Sequence, residues 1–100
     1  MIARVLVLLF GVLLVACAAH QPPLQMMAEA RSAIQAAHDR VPAQGSAAAR
    51  KLADANISLR KASMALDHQS YDRARAEAQQ ARNLARAAIR MMRKATTTHH

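Results

Sequence analysis

Ala48, Leu52, Ala55, Leu59, Ala62 and Leu66 follow one another at spacings of 4, 3, 4, 3 and 4 residues. That alternation averages the repeat of a coiled-coil seam, so a helix puts all six on one side, and a neighbouring helix is the natural cover for them. Ala74, Ala78, Ala81, Ala85, Ala88 and Met92 have the same spacing and supply that neighbour. A third row, Met27, Ala30, Ile34, Ala37 and Val41, recurs at steps of three and four. Three apolar rows at helical period predict three helices, over about residues 24–41, 46–67 and 71–95.

The breaks between the rows agree with this reading. Pro42 to Ser46 (PAQGS) ends the first helix before the proline and leaves Ser46 to cap the second. His68 to Ser70 interrupts the next pair, and Ser70 with Asp72 offers a cap and a negative charge at the start of the third helix. Loops this short between helices predict a small antiparallel three-helix bundle of the all-α class. The alternative is a long hairpin of the second and third helices with a loosely packed first helix. Composition leaves little else: among 100 residues there are two glycines, one tyrosine, one phenylalanine and no tryptophan, and all the valines but Val41 gather between Val5 and Val15. Alanine seams bury little area per residue, so the core is predicted to be thin, with Leu52, Leu59, Leu66, Ile34, Ile89 and Met92 carrying most of the burial. Residues 96–100 (TTTHH) read as a disordered tail.

The first twenty residues have a different character. Met1 to Arg4 is a short basic start, Val5 to Val15 (VLVLLFGVLLV) is an apolar run, and small residues surround Cys17, the only cysteine. The run is shorter than the roughly 20 apolar residues that a membrane-spanning helix needs. Residues 1–16 therefore read as a cleaved signal peptide. The segment Leu14-Val15-Ala16-Cys17 resembles the lipobox of bacterial lipoproteins. That resemblance implies that Cys17 carries lipid and becomes the mature N-terminus, since a thiolate accepts a diacylglyceryl group as a thioether. Two or more acyl chains, at about 0.8 kcal/mol per buried methylene, would hold the protein on a membrane. By the sorting habits of Gram-negative lipoproteins, Ala18 implies the outer membrane and a domain facing the periplasm. Residues 17–23 are then a lipidated tether, with Pro22-Pro23 as an extended spacer.

Charge is concentrated at the other end. The chain is +8 overall, and the segment from Asp72 to Ala95 holds seven basic residues against Asp72 and Glu77. Arg75, Arg82, Arg86 and Arg93 each follow a seam residue by one position and edge the packed face, while Arg90 and Lys94 extend the positive surface. Such side chains pack their stems and present their charged heads to anionic groups. The periplasm offers phospholipid headgroups, peptidoglycan carboxylates and acidic proteins. Export, and the lack of aromatics between the arginines, argues against nucleic acid.

Catalytic chemistry finds no foothold. His20, His38, His68, His99 and His100 have no metal-binding spacing, and no glycine-rich loop exists to cradle phosphate. One cysteine allows neither an internal disulfide nor a thiolate cluster. No enzyme, cofactor or metal is predicted.

The run LADANISLRKASMALDHQSYDRARAEAQQARNLARAA is similar to an uncharacterised family of alanine-rich helical envelope proteins, with Tyr71-Asp72-Arg73-Ala74 the most specific point. Members are small lipoproteins or are joined to OmpA-like peptidoglycan-binding domains. The resemblance covers Met27 to about Ile89 and implies location and fold more than mechanism. Many members have Gly-Asp or Gly-Glu before the tyrosine, where this chain has Gln69-Ser70. The same pattern looks like half of a tetratricopeptide repeat, although a single unit makes no concave binding surface. The expectation is a non-enzymatic outer-membrane lipoprotein. It would be a structural or adaptor protein that docks through its basic C-terminal helix to peptidoglycan, anionic lipid or an envelope protein. The competing expectation is a small chaperone-like or protein-binding module that uses its alanine/methionine seam, with weak self-association along that seam.

Overall fold

The structure is a computed structural model that describes residues 21–42 and 45–98. It contains α1 (Leu24–His38), α2 (Ala47–Asp67) and α3 (Tyr71–Thr98), and no strand among the described residues. The three helices form an all-α bundle in which α1 is fully a member. Its Met27, Ala30, Ile34 and Ala37 are buried, chiefly against α3 and to a smaller extent against α2.

Local chemistry sets the ends of each helix. Ser46 is the N-cap of α2, in extended conformation, and its hydroxyl accepts a hydrogen bond from the Ala49 N–H at 3.0 Å. The first helix stops at His38, not at Val41 as its apolar row predicts. Pro42 has no N–H to give to the His38 carbonyl and disfavours helical backbone at Val41, so the exclusion reaches back a turn. Val41 still folds inward, with its N–H donating to the Ala37 carbonyl at 2.9 Å. At the far end α3 runs through Thr98, beyond the fraying predicted from Thr96. The energetic penalty of three threonines is a few tenths of a kcal/mol each, about too little to stop a helix already propagating.

Pro23, expected in the spacer, belongs to the bundle instead. It is buried, it is the N-cap of α1 with φ −81° and ψ 58°, and its carbonyl accepts from the Met27 N–H at 3.0 Å. Fixed φ and a missing N–H suit proline to a helix start, which is why the double proline opens α1.

The α2–α3 turn is a Schellman motif. The Ser70 N–H donates to the Ala65 carbonyl at 2.8 Å and the Gln69 N–H to the Leu66 carbonyl at 3.0 Å. Gln69, between them, lies in the left-handed region at φ 59°. This turn folds α3 back along α2. The first helix runs parallel to α3, because Arg75 reaches the Gln21 carbonyl and Arg82 reaches Glu29, across sequence separations of 54 and 53. Gln21 therefore sits at the same end of the bundle as the α2–α3 turn. The opposite end holds the last turns of α3, the end of α1 and the start of α2.

The core differs from the predicted one in which side chains fill it. Ala74, Ala78, Ala81, Ala85 and Ala88 of α3 and Ala55 and Ala62 of α2 are at 0% exposure. Met27 is the largest fully buried side chain among the described residues. Leu52 and Ile34 are buried as expected, whereas Leu59, Leu66, Ile89 and Met92 are half-buried and pack along the margins. Ser58 and Ala65 take inward places on α2 that the heptad row assigned to Leu59 and Leu66. Helices that meet through alanine approach so closely that the axis of contact has room only for small residues, and the leucines are displaced to its flanks.

Candidate functional site

The arginines of α3 divide into two groups according to what α1 places beside them. Arg75 donates from Nη1 to Asp72 Oδ1 at 3.3 Å and from Nη2 to the Gln21 carbonyl at 3.5 Å. Arg82 donates from Nη1 to Glu29 Oε2 at 3.1 Å, with its side chain 18% exposed. Its buried Nε has no hydrogen-bond partner among the described residues. Both residues were predicted to face a partner, yet both hold α1 against α3. The reason is positional: one residue past a seam alanine is the edge of the packed face, and the segment from Gln21 to Glu29 supplies acceptors along that edge.

Arg86 and Arg90 are different. Both are exposed, and neither forms an ion pair with a described residue. Arg86 borders a shallow groove of about 320 Å³ with Glu29, Ser32, Ala33, Ala36 and Ile89. Arg93 and Lys94 are also exposed, one turn further on. No Asp or Glu follows Glu77 in the sequence, so every charged side chain in the second half of α3 is basic.

Folding adds cations from elsewhere to this end. Arg40 leaves the end of α1 and Arg50 belongs to the first turn of α2, and both are exposed. Arg50 and Arg90 each stand roughly twenty residues from the α2–α3 turn, which at about 1.5 Å per residue puts them at one level of the hairpin. The result is a basic pole made of Arg40, Arg50, Arg86 and Arg90, with Arg93 and Lys94 alongside. Arg40 and Arg50 were not singled out from sequence, because they lie in segments of mixed charge. Only the direction of the three helices reveals that they join the arginines of α3.

A second groove, of about 450 Å³, lies at the turn end between α2 and α3 and is lined by residues including Lys61, Met64, His68, Arg73 and Glu77. Its lining mixes both signs and selects no single ligand charge. Among the described residues no three His, Cys, Asp or Glu side chains come together as a metal site. No described helix is long and apolar enough to cross a membrane. Leu14, Val15, Ala16 and Cys17, the lipobox positions, lie outside the described residues, as do residues 1–20 in full and His99-His100.

The geometry suits reversible contact with an anionic surface. Exposed guanidinium groups at separate points of one end can each meet a carboxylate or phosphate in forked geometry. Compared with known proteins, the chain matches no family model, no curated protein and no solved structure.

Proposed function

We propose that this chain is a lipid-anchored, non-enzymatic envelope protein, held on the periplasmic face of the outer membrane through lipid on Cys17, that docks to an anionic envelope component through its basic pole. The observation that supports docking is the group of exposed arginines Arg40, Arg50, Arg86 and Arg90, none ion-paired with a described residue, gathered at one end of a bundle. Along α3 itself charges of both signs interleave only in the first turns, where Asp72 and Glu77 accompany Arg73 and Arg75, and beyond Glu77 every charged side chain is basic. Arg75 and Arg82, which are engaged inside the bundle, are assigned no part in docking.

The chaperone-like reading is weaker because its binding surface is occupied. Ala78, Ala81, Ala85 and Ala88 are at 0% exposure, so an apolar partner would have to displace α1 or α2 first. Binding to anionic vesicles or to peptidoglycan at low salt tests the docking reading. Retention should fall when Arg86 and Arg90 are changed to glutamine, and should fall steeply as salt rises. Retention indifferent to both would refute it. The anchor has its own test: Cys17→Ser should leave an unprocessed precursor without lipid, and normal processing with membrane retention would refute the lipobox.

A further inference from the structure

The bundle is polar along its axis, and Gln21 lies at the end opposite the basic pole. Gln21 is fixed at the turn end by Arg75, and the first residue of α1, Leu24, is 62% exposed there. Met64, 60% exposed, lies at the same end on α2, so the two most exposed large apolar side chains among the described residues are both at the end that holds Gln21. Apolar tips beside a lipid attachment favour end-on contact with a bilayer interface. The basic pole of Arg40, Arg50, Arg86 and Arg90 lies at the other end. From Arg75 to Arg90 the rise along α3 is roughly 22 Å at about 1.5 Å per residue.

We infer that the basic pole is directed away from the membrane that holds the protein and takes as its partner the carboxylate-bearing glycan–peptide mesh beyond it. This rests on the lipid-anchor and docking readings above. The four residues from Cys17 to Gln21 span at most about 14 Å of extended chain, so the turn end stays close to the bilayer. The pole then stands a further roughly 22 Å out, more than two screening lengths at physiological salt, where the Debye length is about 8 Å. At that height the headgroups of the anchoring leaflet contribute little to the potential, and arginine forks meet peptide-stem carboxylates instead. The protein acts as a short strut, with lipid at one end and cationic contact at the other.

The test uses the full-length lipidated protein reconstituted in vesicles of phosphatidylcholine, with and without phosphatidylglycerol, and sedimented with purified peptidoglycan sacculi. Vesicles of both compositions should be retained by sacculi. Combined Arg40→Gln, Arg50→Gln, Arg86→Gln and Arg90→Gln should lower retention about tenfold, as four weak surface pairs combine. Lys61→Gln with Arg73→Gln, at the turn end, should leave it unchanged, and equal loss there would overturn the pole. A fluorophore placed by Arg90→Cys should escape quenching by spin-labelled lipid in both vesicles. Quenching that appears with phosphatidylglycerol would mean that the pole lies on its own bilayer, which refutes the outward direction and leaves docking intact. Vesicles that meet sacculi no better than protein-free ones, with the fluorophore unquenched, would refute both.

Discussion

Gln69→Gly should make the bundle more stable, although it removes a side chain and adds freedom to the unfolded chain. Gln69 occupies the left-handed position of the Schellman turn at φ 59°, where its N–H donates to the Leu66 carbonyl at 3.0 Å. A residue with a Cβ loses about 1–2 kcal/mol in that conformation, and glycine loses almost nothing. Glycine in turn costs about 0.5–1 kcal/mol more to order than alanine does. Both hydrogen bonds of the turn are made by backbone and survive the change. The net gain is then about 0.5–1 kcal/mol, which for a domain of this size raises Tm by about 2–8 °C.

Thermal and urea unfolding of residues 21–100, followed by far-ultraviolet circular dichroism, measures this directly. Gln69→Ala is the control, since it keeps the strain and should not gain stability. Gln69→Pro should cost about 3 kcal/mol or more, because proline can neither reach positive φ nor donate to Leu66. If the glycine variant were no more stable than the alanine variant, the left-handed assignment at Gln69 would be wrong.

Other variants probe the core and the α1–α3 contact. Met27, 1% exposed, should cost about 2–5 kcal/mol on truncation to alanine, which rivals the whole stability of so small a core, and urea titration should show Met27→Ala largely unfolded. Ala62→Asp, at a position with no exposure, should destabilise more than Leu59→Asp, at a half-buried one, and the reverse order in circular dichroism melts would mean that the seam is misplaced. Arg82→Met and Arg82→Gln both lose the pair with Glu29, but Met keeps the stem and removes the unpartnered Nε, so it should cost less than Gln, which shortens the packing and should cost about 0.5–1 kcal/mol in the same melts. Ala33→Glu places a carboxylate in the groove beside Arg86 and should weaken sacculus retention while circular dichroism shows the bundle still folded; undiminished retention would exclude Arg86 from the contact.

Element type was written in the sequence and side-chain placement was not. Rows of apolar residues at helical period locate all three helices, and Ser46 announces its cap, because both signals are local. The heptad rule failed at Leu59 and Leu66 because the row was drawn on strict spacing of apolar residues, while the alanines of α3 leave an axis too narrow for leucine and bring Ser58 and Ala65 inward. The prolines misled in opposite ways. Pro42 acts a full turn before itself, and Pro23 caps a helix where two adjacent prolines suggested only spacer. The arginine row was visible as a row, but which of its members stay available depends on α1, some fifty residues away in the chain.

That dependence explains how one regularly spaced row comes to do two jobs. With α1 and α3 parallel at a separation of 53 in sequence, Glu29 stands level with Arg82. One turn further, Ala33 and Ala36 border the groove that Arg86 shares, and the carboxylate of Glu29 is already bonded to Arg82. The only other acid of that segment is Asp39, in the turn after α1, and it forms no ion pair with a described residue. The placement of a single glutamate in α1 thus decides where the packing edge ends and the basic pole begins. Moving it by a turn would lock Arg86 and release Arg82, with the apolar row of α1 unchanged. Packing therefore sets the register of α1 on α3, and the register determines which cations face outward.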